Sequence, residues 1–536
     1  MSDVSWNALS SPERRPSLAA ALLAYARPRR WFRAKGREPR EARLRDLIPL
    51  DDANLLTVLE IDFAAGGTER YAIPIAPLEA AALRRMADAG SGPPLDVIGQ
   101  GQREDDDSRV LVDGLLVPGR AADVLLQLMR SGGQRPGRMG GALVAERLPG
   151  LSALEAVVLP VAKIPRVEQT NSIAIFGDRV LLKVYRQLTA GPNPEREVGE
   201  FLNGRCDPPC TARILGALTY HAADGTTSSV ALAHEYLANE GDAFSFMLDK
   251  LRGYFDRVSA LPTPTSTLDP VAASALAVFD PLAARLGRRT GELHRALASA
   301  PPEDRDFAPE PLAAADRATL AARADAMLRE QLDTLSGALP RLAPAARTLA
   351  ERLLAPGARQ AISRRLDEFR ERPLAVVKTR THGDLHLGQV LVRGQDDFVI
   401  IDFEGEPARP LAERRAKGSP LRDVMGMVRS FSYAPEVLLR DPSFGHAGGR
   451  INAGAAQEDH LAGWADLWKT RVAAAYVRAY RDAVGAAPFL PVAPDDLAVM
   501  MTFYELEKVI YEIAYEVNNR PDWVEIPLRG LAALLP

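Results

Sequence analysis

Between His382 and Gly405 the chain reads HGDLHLGQVLVRGQDDFVIIDFEG, a pattern that few folds can accommodate. A His-Gly-Asp triplet occupies a tight loop, an amide side chain follows at Gln389, and a short apolar strand delivers a carboxylate at Asp402. Phosphoryl transfer from a nucleotide needs these parts in this order. One carboxylate, Asp384, meets the acceptor hydroxyl as base, while an amide oxygen and a second carboxylate hold magnesium against the phosphates. Each part alone is ordinary, and the conjunction carries the reading.

The rest of the chain must build around that segment. Its 536 residues exceed one ordinary core, so several domains are expected. A formal charge of -4 argues against a dedicated nucleic-acid binder, whose footprint would be strongly basic. The cluster Arg27, Arg29, Arg30, Arg33, Lys35 and Arg37 reads as a solvated charged face. No apolar run reaches the roughly 18 residues of a membrane span, and MSDVSWNALSSPERR lacks the apolar core of a secretory signal. Cys206 and Cys210 are neither a disulfide framework nor a zinc set. Reduced thiols in a cytoplasmic protein are the expectation.

Three regions follow from composition and period. Residues 1–140 hold short apolar runs (LLTVLEIDF, YAIPIAPL, PLDVIG, RVLVDGLLV) that read as strands of a small mixed domain, closed by a glycine-rich boundary at 132–141. Residues 141–241 place two strands around Gly177-Asp178, a helix after GPNPE and a buried strand in SSVALAHEYL, the content of a small nucleotide-binding lobe. Residues 242–536 are mainly helical, with one long helix expected over 271–298.

Candidate residues can be placed on this frame. Lys183 lies mid-strand in VLLKVYR, where a buried lysine requires a partner, and Glu197 on the following helix is the chosen one. No G-x-G-x-x-G precedes it; the turn residues Gln169, Thr170, Asn171 and Ser172 are candidates to cover phosphates. Glu235, Tyr236 and Leu237 would border the adenine by position. Gln389 and Asp402 are the metal ligands, and Glu406 reads as part of a solvated loop. On the helix from 503 onward, Phe503, Leu506, Ile510, Ile513 and Val517 form an apolar face. Tyr504, Lys508, Tyr511 and Tyr515 make a second stripe, with Trp523 close behind. Aromatic faces beside cations, acids and amides suit a polyhydroxylated ring. His386, next to the base, joins these as a substrate candidate.

With these residues in place the chain resembles the bacterial maltokinases, a branch of the aminoglycoside-phosphotransferase-like, protein-kinase-like fold. The blocks that carry the resemblance are HGDLHLGQVL, IDFEGEPARPLAERRAKGSPLRDVMGMVRSFSYA, YEVNNRPDWVEIPLRGL, EQTNS with GDRVLLKVYR, GPNPEREVGEFL, GRRTGELHRAL and RRWFRAKGR. It implies an α+β, bilobal kinase-like fold with an N-terminal mixed α/β cap domain and a mostly helical C-terminal lobe. It also implies ATP- and Mg2+-dependent phosphorylation of maltose at its anomeric hydroxyl, feeding α-glucan synthesis, with trehalose synthase as a partner and neither nucleic acid nor membrane involved. Under it Asp384 is the base, Gln389 and Asp402 bind metal, Lys183 and Glu197 form the phosphate-side pair, and Lys508, Tyr511 and Tyr515 lie on the sugar helix. Gln389, in place of the usual Asn, matches this branch. The alternatives are another sugar kinase of the fold, such as a glucosamine kinase, and a non-catalytic sugar-binding module.

Overall fold

The computed structural model describes residues 11–88, 96–100, 109–165, 170–206, 209–262, 264, 266–394, 397–440 and 455–535. The chain forms two compact units, Met1–Asn203 with Ala212–Ala238, and Gly204–Thr211 with Asn239–Pro536.

The first unit holds two antiparallel sheets built from β1 (Pro39–Pro49), β2 (Leu55–Phe63), β3 (Thr68–Glu79), β4 (Val97–Gln100), β5 (Arg109–Asp113), β6 (Gly133–Pro136), β7 (Ala142–Arg147), β8 (Ser172–Phe176), β9 (Val180–Val184), β10 (Gln187–Leu188), β11 (Ile214–His221) and β12 (Thr227–Glu235). One sheet runs β1-β2-β3-β5-β4, with β10 also pairing β3; the other runs β6-β7-β11-β12-β9-β8. Tyr71, Ile73 and Leu59 of the first sheet pack with Trp31, Phe32 and the helix Arg15–Ala26. The helix Ala121–Ser131 closes the core of the second sheet through Leu125, Leu126 and Met129.

Two expectations change here. The glycine-rich stretch at 132–141 is no separating linker, because it contains β6 and the turn that leads to β7, a hairpin of the second sheet. Buried Asp46 of β1 accepts the amides of Met139 and Gly141 at 3.0 and 2.9 Å. In the other direction β10 crosses into the first sheet. The two regions read as separate in the sequence therefore share one unit. The basic cluster is also only partly a solvated face: Arg29 lies 4.4 Å over the Tyr25 ring and Arg37 3.9 Å over Phe63.

The second unit is helical around a buried aromatic core of Tyr254, Phe279, Phe431, Trp464, Trp468, Tyr476 and Tyr480. The long helix expected over 271–298 is two, Pro270–Leu276 and Asp280–Leu297. Pro281 explains the break, since its ring cannot sit inside a helix but suits a first turn. A hairpin of Val390–Arg393 with Asp397–Ile400 interrupts the helices. Val392 bonds Glu240 and Gly241, fastening the hairpin to the start of this part of the chain. Cys206 and Cys210 are joined as a disulfide, not held as reduced thiols, and the Cys210 carbonyl accepts the Ile400 amide at 3.0 Å. Their Cα atoms lie 5.7 Å apart, within bonding reach, a closeness that so short a spacing does not reveal. Among the described residues no helix is long and apolar enough to cross a membrane.

Candidate active site

In the first unit, Lys183 sits mid-strand on β9 between Ile173 of β8 and Leu232 of β12. Only 9% exposed, it needs a fixed counter-charge. The helix Pro194–Leu202 supplies it: Asn193 caps the helix by accepting the amides of Glu195 and Arg196, with Pro194 in the first turn. The partner is Glu195, whose Oε2 lies 2.6 Å from Lys183 Nζ and accepts the Tyr185 hydroxyl at 2.6 Å. His234 Nε2 stands 3.7 Å from Oε1. Glu197 was the wrong choice of partner, because two residues on a helix are separated by about 200°.

Gln169 lies outside the described residues, and Thr170 is exposed. Ser172 accepts Arg186 Nε at 2.7 Å, so its hydroxyl oxygen serves a buried arginine that also pairs with Asp113 at 2.7 Å. Asn171 is half-buried immediately before β8. Glu235 and Tyr236 both donate their amides within the sheet, to the carbonyls of Arg213 and Arg179. An adenine beside Glu235, Tyr236 and Leu237 would therefore meet other groups of that segment than those two amides.

In the second unit the His382–Asp384 loop is held from three sides. Gly383 turns it with φ +83°, which an L side chain resists. Asp423, buried on the helix Leu421–Arg440, accepts the amides of His382 and Gly383 at 2.7 and 2.9 Å. His382 Nε2 bonds the Ile401 carbonyl at 2.8 Å, and its Nδ1 takes the Asp384 amide at 3.3 Å. One imidazole thus ties the proposed base to the segment between the strand Asp397–Ile400 and Asp402. Gly426 allows the helix this close: a Cβ there would lie 2.5 Å from the Leu385 carbonyl oxygen.

Gln389 ends a short turn and its carbonyl accepts the Ile401 amide at 2.9 Å, continuing the hairpin ladder towards Asp402. The ladder brings an amide side chain and a carboxylate to one end of the hairpin. Asp402 has φ +67°, unique among the described non-glycine residues and a costly conformation that persists only where its surroundings impose it. This set of hard oxygens suits Mg2+ and not a thiophilic metal.

Lys508, on the helix Pro494–Asn519, brings Nζ to 3.4 Å from Asp384 Oδ1 and 3.7 Å from Glu406 Oε1. Burial pushes the Asp384 carboxyl up, but Lys508, His386 and His382 together outweigh it and hold it below the usual carboxylate range. Burial lowers the His386 imidazole, and its Nδ1 accepts the Gly388 amide at 3.0 Å, leaving the other nitrogen to carry the proton of the neutral ring. Glu406 is not part of a solvated loop: it is 4% exposed and pairs with Arg409 and Arg422 at 2.7 and 2.9 Å.

The predicted apolar face is buried throughout, and Tyr504 of the second stripe belongs to it, packed edge-on against Phe369. The Tyr511 ring lies 5.1 Å from Lys508 Nζ and 6.3 Å from the Tyr515 ring. Arg520 covers Tyr515 at 5.2 Å and Trp523 at 4.2 Å. Tyr515 and Trp523 are thus partly masked by a guanidinium, and Tyr511 is the aromatic side chain placed beside Lys508. Sequence reasoning missed Asp423, Glu195 and Glu406. An Asp at the head of the apolar run VMGMV, on the buried side of a predicted helix, was the available signal for Asp423.

Residues 260–447 match the phosphotransferase enzyme family model APH, and residues 25–116 match the maltokinase N-terminal cap domain. The chain is a maltokinase-like, aminoglycoside-phosphotransferase-like protein. Among curated proteins, this phosphotransferase is 28% identical to the glucosamine kinase of Streptacidiphilus jiangxiensis over 69% of its own length and 72% of the relative's. It is 27% identical to that of Mycolicibacterium smegmatis, over 69% and 78%. A solved glucosamine kinase in complex with glucosamine, ADP and inorganic phosphate superposes with a TM-score of 0.57 at 20% identity, covering 93% of this chain and 95% of that one. A second crystal form gives 0.59, over 97% and 98%. At that identity the likeness establishes the kinase-like fold, as the sequence resemblance implies.

Proposed function

We propose that the protein is a sugar kinase that transfers the γ-phosphoryl group of ATP to the anomeric hydroxyl of maltose, giving maltose 1-phosphate and ADP. The observation that carries the choice of acceptor is the Lys508 ammonium, 3.4 Å from Asp384 and beside the Tyr511 ring. A neutral sugar offers this cation hydroxyl oxygens. An amine next to the reacting hydroxyl would instead set like charges together at a buried site. The rival acceptor is glucosamine, favoured by the names of the two curated relatives. A wider role in α-glucan synthesis, with a trehalose synthase as partner, rests on the sequence resemblance.

Asp384 acts by orientation and by late proton acceptance. An anomeric hydroxyl is more acidic than an ordinary alcohol, so the carboxylate aligns it and accepts its proton late, as the new P–O bond forms and the bond to ADP breaks. Lys183, fixed by Glu195, neutralises nucleotide phosphate. Gln389 and Asp402 would hold magnesium, which when bound offsets the charge on the transferring group.

A panel of maltose, glucose, glucosamine and aminoglycosides with ATP and magnesium tests this reading, with ADP release fastest on maltose. Turnover confined to glucosamine would overturn the acceptor assignment. A pH profile tests the role of Lys508. With Asp384 held low, the acid limb of kcat/KM lies below the ordinary carboxylate range. In Lys508→Met burial acts with less opposition, so the base is protonated at higher pH and that limb shifts upward. An unmoved limb would remove Lys508 from the electrostatics of the base.

A further inference from the structure

The stretch ARPLAERRAKG (408–418) follows the metal-side turn, and nothing in the mechanism above uses it. It leaves that turn and returns to the catalytic loop: Gly418 and Thr379 exchange backbone bonds at 2.8 and 2.9 Å, just ahead of His382. Both ends of the stretch are tied down. Arg409 pairs with Glu406 at 2.7 Å and with Glu507 at 3.1 Å. Lys417 Nζ donates to the Arg305 carbonyl at 2.8 Å and to Glu310 at 2.6 Å. Between them lies the short helix Leu411–Arg415, where the amides of Glu413 and Arg414 both bond the Pro410 carbonyl.

That helix places Arg414 over the backbone of Gly405. Gly405 is buried with φ +72°, and a Cβ there would lie 3.3, 3.4 and 3.6 Å from Arg414 Cβ, Cγ and Cδ. The arginine stem therefore runs along this glycine, and its Nη1 donates to the Glu404 carbonyl at 3.2 Å. On the catalytic loop, a Cβ on Gly383 would lie 3.4 Å from the Gly405 Cα. Gly383, Gly405 and the Arg414 stem thus pack in succession, with Asp384 next to the first and Asp402 close before the second. The His382 and Phe403 rings, 4.8 Å apart, join the same two segments.

We infer that Arg414 is a positioning residue, which holds the turn carrying Asp402 against the loop carrying Asp384 and so fixes the separation of the two carboxylates. The inference rests on the reading of these two residues as metal ligand and base. Two glycine backbones in contact have no side chains to interlock, so something else must keep them from sliding. The Arg414 methylenes cover the contact and its bond to Glu404 locks it. Asp402 at φ +67° also needs surroundings that impose that conformation, and the clamp on the turn just after it is one of them. Without the clamp the turn drifts; a displacement of about 1 Å at a reacting group costs roughly a hundredfold in rate.

The test is steady-state kinetics of the full chain with ATP and the sugar that wild type turns over fastest, on variants whose folding is checked by circular dichroism and Tm. Arg414→Ala should lower kcat by about 10- to 100-fold while KM for the sugar stays within about twofold. Arg414→Lys, which keeps the methylene stem and an N–H donor, should stay within about fivefold of wild type. Hydrogen exchange supplies a readout independent of turnover. Peptides spanning 380–405, whose bonded amides include His382, Gly383 and Ile401, should exchange at least about threefold faster in Arg414→Ala, with the helix Leu421–Arg440 unchanged. A folded Arg414→Ala with wild-type kcat would overturn the inference. So would equal losses in the Ala and Lys variants, which would make the guanidinium a substrate contact, or a lost kcat with unchanged exchange, which would leave only its charge. Should the Ala variant not fold, an unchanged kcat in folded Arg414→Met, which keeps the stem but lacks the bond to Glu404, would do the same. Asp384→Asn serves as the control. Activity retained there sinks the base reading itself, whereas its loss beside an unaffected Arg414→Ala sinks only the positioning role.

Discussion

Asp384→Asn will lower maltose-dependent ADP release by about two to four orders of magnitude, with the protein still folded. The amide has the size of the carboxylate and can orient a hydroxyl, but it cannot take the proton. It also removes the charge facing Lys508, which keeps Glu406 at 3.7 Å and so stays compensated. The loop should hold its shape, because its anchors are the His382 and Gly383 amides on Asp423, outside the substituted group. A change in Tm of a few degrees beside a lost kcat is the expected pattern. Turnover within tenfold of wild type would remove Asp384 from the chemistry.

Lys183→Ala will have the next largest effect, a fall of about 10^2- to 10^3-fold in kcat/KM for ATP. It strips the phosphate side of its cation and leaves Glu195 buried with the Tyr185 hydroxyl and no ammonium. Breaking such a pair costs about 3–5 kcal/mol, so Tm should fall as well. Glu195→Gln should repeat the kinetic loss in part, while Glu197→Gln should stay within about threefold of wild type, which separates the two carboxylates. Comparable losses in both glutamine variants would show that the ion pair described here is not the one that serves the nucleotide.

How much of this was legible depended on whether the signal was local. The strand that delivers Asp402 was readable because an apolar run and its terminal Asp lie within one short stretch, whereas its pairing with Val390–Arg393 was not read. The buried face from Phe503 to Val517 was readable too, because the period of the helix does the sorting. Glu195 was missed because the choice between two carboxylates depends on the angle at which the helix leaves Asn193, which spacing alone does not set. Asp423 escaped because its partners are distant in sequence. Glu406 was misread for a similar reason: Arg409 is local, but Arg422 and Lys508 become its neighbours only after the helices Leu421–Arg440 and Pro494–Asn519 pack. The merging of the first two regions into one unit was equally hidden, since β10 is a strand of two residues with no pattern of its own.

The central claim is that a neutral disaccharide, not an amino sugar, accepts the phosphoryl group at Asp384. Phosphorus NMR of a reaction offering maltose and glucosamine at equal concentration, with limiting ATP and magnesium, tests it directly. The account predicts a glycosyl 1-phosphate resonance, coupled to the anomeric proton of maltose, as the main new ester. A glucosamine phosphate in its place, with maltose recovered unchanged, would contradict it.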